Sequence, residues 1–197
     1  MTSDHDSDPI LYLRGDVAAL GPLDRALVER YWRWENNPRV RIGYGQQTPE
    51  SLEERTEGLG YQLKRSAGQA RFTIYDVTGA TPEPVGTTAL TIDHPRRTAE
   101  FFILVGEDTA TGKGIGTEAT RLTLDYAFHI TNLRCVYLSV LAPNIHAVKA
   151  YEKAGFRRIG ERRLSGYWLG EPANELFMDA VAADFPGPSL VKQLAGQ

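Results

Sequence analysis

Residues 107–118 read Glu107-Asp-Thr-Ala-Thr-Gly-Lys-Gly-Ile-Gly-Thr-Glu118, a polar, glycine-punctuated loop that runs into a periodic apolar segment ending near Ile130. Gly112, Gly114 and Gly116 leave the backbone without Cβ atoms, so successive N–H groups can converge on one anion. The spacing predicts a helix opening at about Gly114, with its positive end turned toward the same point. Lys113 adds a full charge. The stretch is a strand-to-helix turn suited to holding a phosphate.

Two familiar phosphate loops do not fit. A P-loop has four residues between its first Gly and the Gly-Lys pair, then Ser or Thr; here Gly106 and Gly112 enclose five residues, and Gly114 follows Lys113. Without that hydroxyl there is no ligand for magnesium. Gly112-x-Gly114-x-Gly116 is not the dinucleotide fingerprint G-x-G-x-x-G either.

Working outward, helical spacing at Leu23, Leu27, Val28, Tyr31 and Trp34 predicts a helix that Asn36-Asn-Pro38 stops, after a first strand over residues 10–14. Ser51-x-x-Glu54 matches a capping box and predicts a second helix. Its charges Glu50, Glu53, Glu54, Arg55 and Glu57 are read as a solvated face, with bordering an amine acceptor's entrance as the sharper alternative. Strands over 71–78, 85–92 and 98–105, joined by short turns, predict three antiparallel neighbours. In the glycine-led helix, Ile115, Ala119, Leu122, Tyr126 and Ile130 share a face that Leu124 and Phe128 widen. Residues 134–141 are almost wholly apolar or β-branched, as in a strand covered on both sides and parallel to the one before the glycine loop. Asn144 can cap a following helix that Gly155 closes. A hairpin over 156–164 and 174–181 turns around 166–172, and the tail from 186 reads as an arm on a neighbouring surface.

This order of elements, with Arg97-Thr-Ala-Glu-Phe101, Gly112-Lys-Gly-Ile-Gly-Thr-Glu-Ala119, Asp125-Tyr-Ala-Phe128 and the run from Asn144 to Phe156 (Asn-Ile-His-Ala-Val-Lys-Ala-Tyr-Glu-Lys-Ala-Gly-Phe), resembles the GNAT superfamily of acyl-CoA-dependent N-acetyltransferases. Within it the chain is similar to the branch of ribosomal-protein-alanine and spermidine N-acetyltransferases, down to the ending Pro186-Gly-Pro-Ser-Leu-Val-Lys192. The resemblance implies an α+β GNAT fold: a central mixed, mostly antiparallel sheet, helices on both faces, and a parallel strand pair splayed around the acyl-CoA site. Thr111-Gly-Lys-Gly-Ile-Gly116 stands for the family's R/Q-x-x-G-x-G/A, with Thr111 where Arg or Gln is usual. Residues 10–183 would form the single domain, between an acidic lead over 1–9 and a C-terminal arm over 184–197.

What the resemblance implies for chemistry is direct acetyl transfer from acetyl-CoA to a primary amine. The donor would be held by Thr111, Gly112, Lys113, Gly114, Ile115, Gly116 and Thr117, with Asn144 on the pantetheine arm and backbone donors near Leu104 and Val105 on the thioester oxygen. An alkylammonium of pKa near 10.4 must shed a proton at a cost of roughly 4 kcal/mol at neutral pH, so Glu100 is the expected base, directly or through a water chain. A surface charge paired with Arg97 is the plainer reading of Glu100. Tyr151 is the expected acid toward the leaving thiol, where an arbitrary helix would make it core. A polyamine or an amino-sugar antibiotic is the first expectation for the acceptor, and the α-amine of a protein N-terminus the second. A non-catalytic acetyl-CoA-binding module is the reading from another class.

Composition bounds the rest. A chain of 197 residues, 42% hydrophobic and 24% charged, is expected to bury one core. The net charge of −3, with no basic stripe, argues against nucleic acid. With no apolar run of about 20 residues and no signal-like start, no membrane is expected and the cytoplasm is the default. The lone Cys135 reads as a structural thiol. His5, His94, His129 and His146 lack metal-ligand spacing, so no metal is expected. Trp32, Trp34 and Trp168 could frame an acceptor pocket, although packing is the commoner fate. Nothing singles out a monomer over a homodimer or larger homo-oligomer.

Overall fold

The computed structural model describes residues 8–44, 48–64 and 66–196, with Tyr44 described by its backbone alone. Most of the acidic lead, with His5, lies outside the described residues. The strands are β1 (Leu13–Arg14), β2 (Ala18–Pro22), β3 (Gln69–Asp76), β4 (Glu83–Asp93), β5 (Thr98–Val105), β6 (Cys135–Leu141), β7 (Arg157–Trp168) and β8 (Glu171–Val181). The helices are α1 (Val28–Glu35), α2 (Pro38–Tyr44), α3 (Leu52–Gln62), α4 (Ile115–His129), α5 (Ile145–Ala154) and α6 (Leu190–Leu194). One eight-stranded sheet runs β1-β2-β3-β4-β5-β6-β8-β7.

The decisive join is between β5 and β6. They pair in parallel from Thr98↔Cys135 only as far as Glu100↔Tyr137. Each strand then follows its antiparallel partner, β5 along β4 to Gly86↔Val105 and β6 along β8 to Leu141↔Glu175. Beyond Glu100 the edge of β5 that faces β6 therefore has no strand partner there, and its backbone N–H and C=O groups need another one.

Alternation along the strands sorts the core. Ala99, Phe101, Val136, Leu138, Val140, Leu176 and Met178 join the main cluster with Ile115, Ala119, Leu122 and Leu124 of α4. Across the sheet a smaller cluster holds Tyr31, Trp34, Leu59 and Leu104. There the buried Tyr31 hydroxyl lies 2.6 Å from Thr73 Oγ1 and accepts from Asp24 N–H at 3.2 Å, fixing α1 to β3.

Several elements depart from the sequence reading. The first strand shrinks to β1, and Ala18–Pro22 forms a strand that Gly21 and Pro22 hid. Pro38 stops α1 but also opens α2, since a helix's first residue needs no N–H. The hairpin turn is tighter than 166–172: Leu169 (φ 53) and Gly170 (φ 87) alone link Trp168 to Glu171. In α3 the capping box forms, Ser51 Oγ accepting from Glu54 N–H and Glu54 Oε2 from Ser51 N–H. Arg55, however, is only 3% exposed and leaves the solvated face, over the Tyr31 ring at 5.6 Å. Ile130, placed on the buried face of α4, is its exposed C-cap.

The tail differs too. Rather than an arm without a folded element, it contains α6, docked on α4. Asp125, 2% exposed, accepts from Ser189 Oγ at 2.5 Å and Val191 N–H at 3.1 Å, and its carboxyl lies 2.6 Å from His129 Nδ1.

Glu118 closes the frame. Its carboxylate accepts from the N–H groups of Asp16 (3.1 Å), Val17 (2.6 Å) and Ala18 (2.5 Å), joining α4 to the β1–β2 turn. A Cβ on Gly15 would lie 2.5 Å from that carboxyl group, so the turn needs glycine there.

Candidate active site

The loop expected to hold phosphate is built as the sequence suggests. Gly112 and Gly114 adopt φ of 78° and 83°, which side chains disfavour. Gly114 is the N-cap of α4 and offers no side-chain cap, so the first-turn N–H groups are left for an anion. Thr111, Gly112, Lys113 and Gly114 are exposed at this end, and Thr117 is half-buried. Lys113 is partly committed elsewhere: its Nζ lies 3.3 Å from Asp76 Oδ2. Thr78, donating to Asp76 through its hydroxyl and then its N–H, together with Lys113, holds that carboxyl below its usual range.

Where β5 and β6 part, a cavity of about 1140 Å3 opens. Phe101, Phe102, Ile103 and Val105 line it from β5, Ser139, Val140 and Leu141 from β6, Gly116 and Thr120 from α4, and Asn144, Ala147, Ala150 and Tyr151 from the start and body of α5. The segment 36–43 and the tip of the β7–β8 hairpin close its other sides. Asn144 caps α5, accepting from Ala147 N–H at 3.3 Å.

Tyr151 packs edge-on against Phe101 and Phe156, at ring separations of 6.2 and 5.9 Å. Burial pushes its phenol up to about 12, so it stays protonated at neutral pH. Its hydroxyl has no hydrogen-bond partner among the described residues, and it lines the cavity.

Four of the expected site residues therefore meet in one space: Val105, Gly116, Asn144 and Tyr151. Others do not line it. Ile115 is buried in the main core, and Leu104 packs in the cluster across the sheet. Glu100, level with Tyr137 where β5 and β6 are still paired, stands outside the cavity lining. Its imagined partner Arg97 donates instead from Nε to the Asn132 carbonyl at 2.8 Å. Trp34 donates to Glu107 Oε1 and Trp32 to the Glu50 carbonyl, and none of the three tryptophans lines the cavity.

A second cavity, about 320 Å3, lies beyond Val40, Phe102 and Ile103 and holds Glu35, Glu50, Arg41, Arg55 and Arg71. Burial raises the Glu35 carboxyl to about 7, with the neighbouring Glu50 adding to the rise and Arg55, 3.6 Å away, opposing it. The sequence reading missed this cluster and the segment 36–43; Pro38, the first residue of α2, was the signal available.

Residues 19–157 match the model of the GNAT acetyltransferase domain. This chain belongs to the GNAT acetyltransferase family. It is 28% identical over 183 residues to a spermidine N(1)-acetyltransferase of Escherichia coli K12, spanning 89% of this chain and 95% of that one. With a spermidine N(1)-acetyltransferase of Vibrio cholerae it shares 34% identity over 123 residues, 61% of this chain and 68% of the other. The fold superposes on a crystal structure of the Vibrio cholerae spermidine N-acetyltransferase in complex with CoA and spermine with a TM-score of 0.78, at 25% identity, over 88% of this chain and all of that one.

The acetyltransferase is acetyl-CoA-dependent, and its geometry suits that donor. A long, narrow thioester arm matches a cleft where β5 has parted from β6, and its diphosphate matches the uncapped end of α4. Among the described residues no cluster of His, Cys, Asp and Glu could hold a metal ion, and no helix is long and apolar enough to cross a membrane.

Proposed function

We propose that this acetyltransferase acetylates polyamines of the spermidine type by direct transfer, with Tyr151 as the proton donor to the departing sulfur. One observation carries the reading: Tyr151, protonated and without a partner for its hydroxyl among the described residues, lines the same cleft as the stretch of β5 that β6 leaves. When bound, acetyl-CoA supplies the acetyl group as a thioester. An un-ionised phenol can hydrogen-bond a developing thiolate and pass it a proton. Asn144 and the N–H groups of Gly116 and Thr117 position the donor, Gly112 and Gly114 shape the loop in front of them, and the backbone near Val105 serves the thioester oxygen. Glu100 takes up the amine's proton only through a water path, because it does not line the cleft. The acceptor class rests on the relatives named for spermidine and on the solved complex holding CoA and spermine.

The test is release of free thiol from acetyl-CoA in the presence of spermidine, spermine, aminoglycosides and peptides with free N-termini. Turnover is expected with the first two; turnover confined to peptides or to aminoglycosides overturns the polyamine assignment. No turnover with any amine would leave a donor-binding protein without catalysis.

A further inference from the structure

A polyamine reaches the cleft with more than one positive charge, and a cation that leaves water needs a counter-charge close by. Among the described residues lining the main cavity the charged side chains are Arg39, Arg41 and Glu175. Two are cations, and Arg39 already holds Asp108 at 2.9 Å. The neighbouring cavity offers no surplus of negative charge, since three arginines accompany its Glu35 and Glu50. Among the described residues Glu175 is thus the one carboxylate lining the cleft. Resting on the polyamine reading, we infer that Glu175 is the acceptor-binding residue that holds the substrate's second ammonium, the one not being acetylated.

Its place in the sheet supports this. Glu175 pairs with Leu141 at the wide end of the splay, and Phe177 pairs with Ser139. With Leu176 and Met178 turned into the main core, alternation sends Glu175 to the face opposite α4 and α5. An amine can approach there without crossing the donor's path. The carboxylate is only partly satisfied: Oε2 lies 3.2 Å from Arg162 Nη1 and accepts from Ser165 Oγ at 3.4 Å. Its other oxygen has no hydrogen-bond partner among the described residues. The Arg162 side chain, which also lies over the Phe177 ring at 4.9 Å, is 62% exposed against 24% for Glu175, so solvent screens the pair and an incoming cation competes with Arg162 for the carboxylate.

The experiment compares wild type with Glu175→Gln and Glu175→Asp on spermidine and on a monoamine of similar length, with acetyl-CoA binding measured as a control on folding. The Gln variant is expected to raise KM for spermidine about tenfold or more while leaving the monoamine within about twofold. The Asp variant should recover part of the loss. Equal loss on both amines would place Glu175 at the reacting nitrogen and overturn the inference; so would an unchanged KM for spermidine. Wild-type enzyme inactive on every polyamine sinks the acceptor class itself, a result distinct from active wild type with an indifferent Gln variant.

Discussion

The two sides of the cleft are built on different principles. The side proposed for the donor, α4 and α5 with their loops, is backbone geometry: two left-handed glycines, an uncapped helix end, an asparagine cap and one phenol. The side proposed for the acceptor, α1 to α3 against β3–β5 with the β7–β8 hairpin, is side-chain charge, with Glu35, Glu50 and Arg71 half-buried around the buried Arg55 and Glu175 in the open cleft. Backbone devices tolerate almost no substitution, because they depend on conformations that only particular residues adopt. Charged linings can be rewritten one residue at a time, so one fold can keep its donor and change its acceptor.

Substitutions on the two sides should separate accordingly. Gly114→Val forces a β-branched residue to φ 83°, strain on the order of 1–3 kcal/mol. We expect acetyl-CoA affinity to fall by about a hundredfold, read by calorimetry; unchanged affinity would mean that the loop's shape is not what binds the donor. Tyr151→Phe should lower kcat about tenfold or more with the donor's binding unchanged, and the enzyme's alkaline limb should not be set by Tyr151 below pH 10, given its phenol near 12. Parallel loss of binding and turnover would return Tyr151 to packing.

On the charged side of the cleft the effect is one of stability. Glu35 titrates from 4.5 as its ordinary value to about 7 when folded. Between those values the folded chain keeps a proton that the unfolded chain has lost, so stability falls as pH rises from about 4.5 and the loss is complete above about 7. Denaturant unfolding at pH 5 and pH 8 should show a decline on the order of 2 kcal/mol that Glu35→Gln flattens. An equal slope in both proteins would assign the decline to other groups. The smallest effect belongs to Lys113→Ala, where the ion pair with Asp76 already occupies the charge; donor affinity should change by about threefold or less.

The same division decided what could be read from the sequence. Glycine spacing, the Asn144 cap and the periodicity of 115–130 are local signals, and the elements they announce stand where expected. The strands 98–105 and 135–141 were legible from their apolar runs, as was their parallel pairing. Charge placement was not. Nothing local says that Arg55 turns inward onto Tyr31, that Glu118 reaches back to three amides a hundred residues earlier, or that Glu175 rather than Glu100 borders the cleft. The turn at Leu169-Gly170 was hidden because leucine is an uncommon occupant of a left-handed first position. The short helix in the tail was not legible because Asp125, which accepts from its first turn, lies far upstream.

That capture has a practical side. Cutting the chain before Ser189 would strip Asp125 of its hydroxyl and amide donors and leave a desolvated carboxylate with the imidazole of His129 alone. The helix loosened by such trimming is α4, whose opposite end is the one proposed to hold the diphosphate, so tags or proteolysis over residues 189–196 bear, on that proposal, on how tightly the enzyme retains its coenzyme.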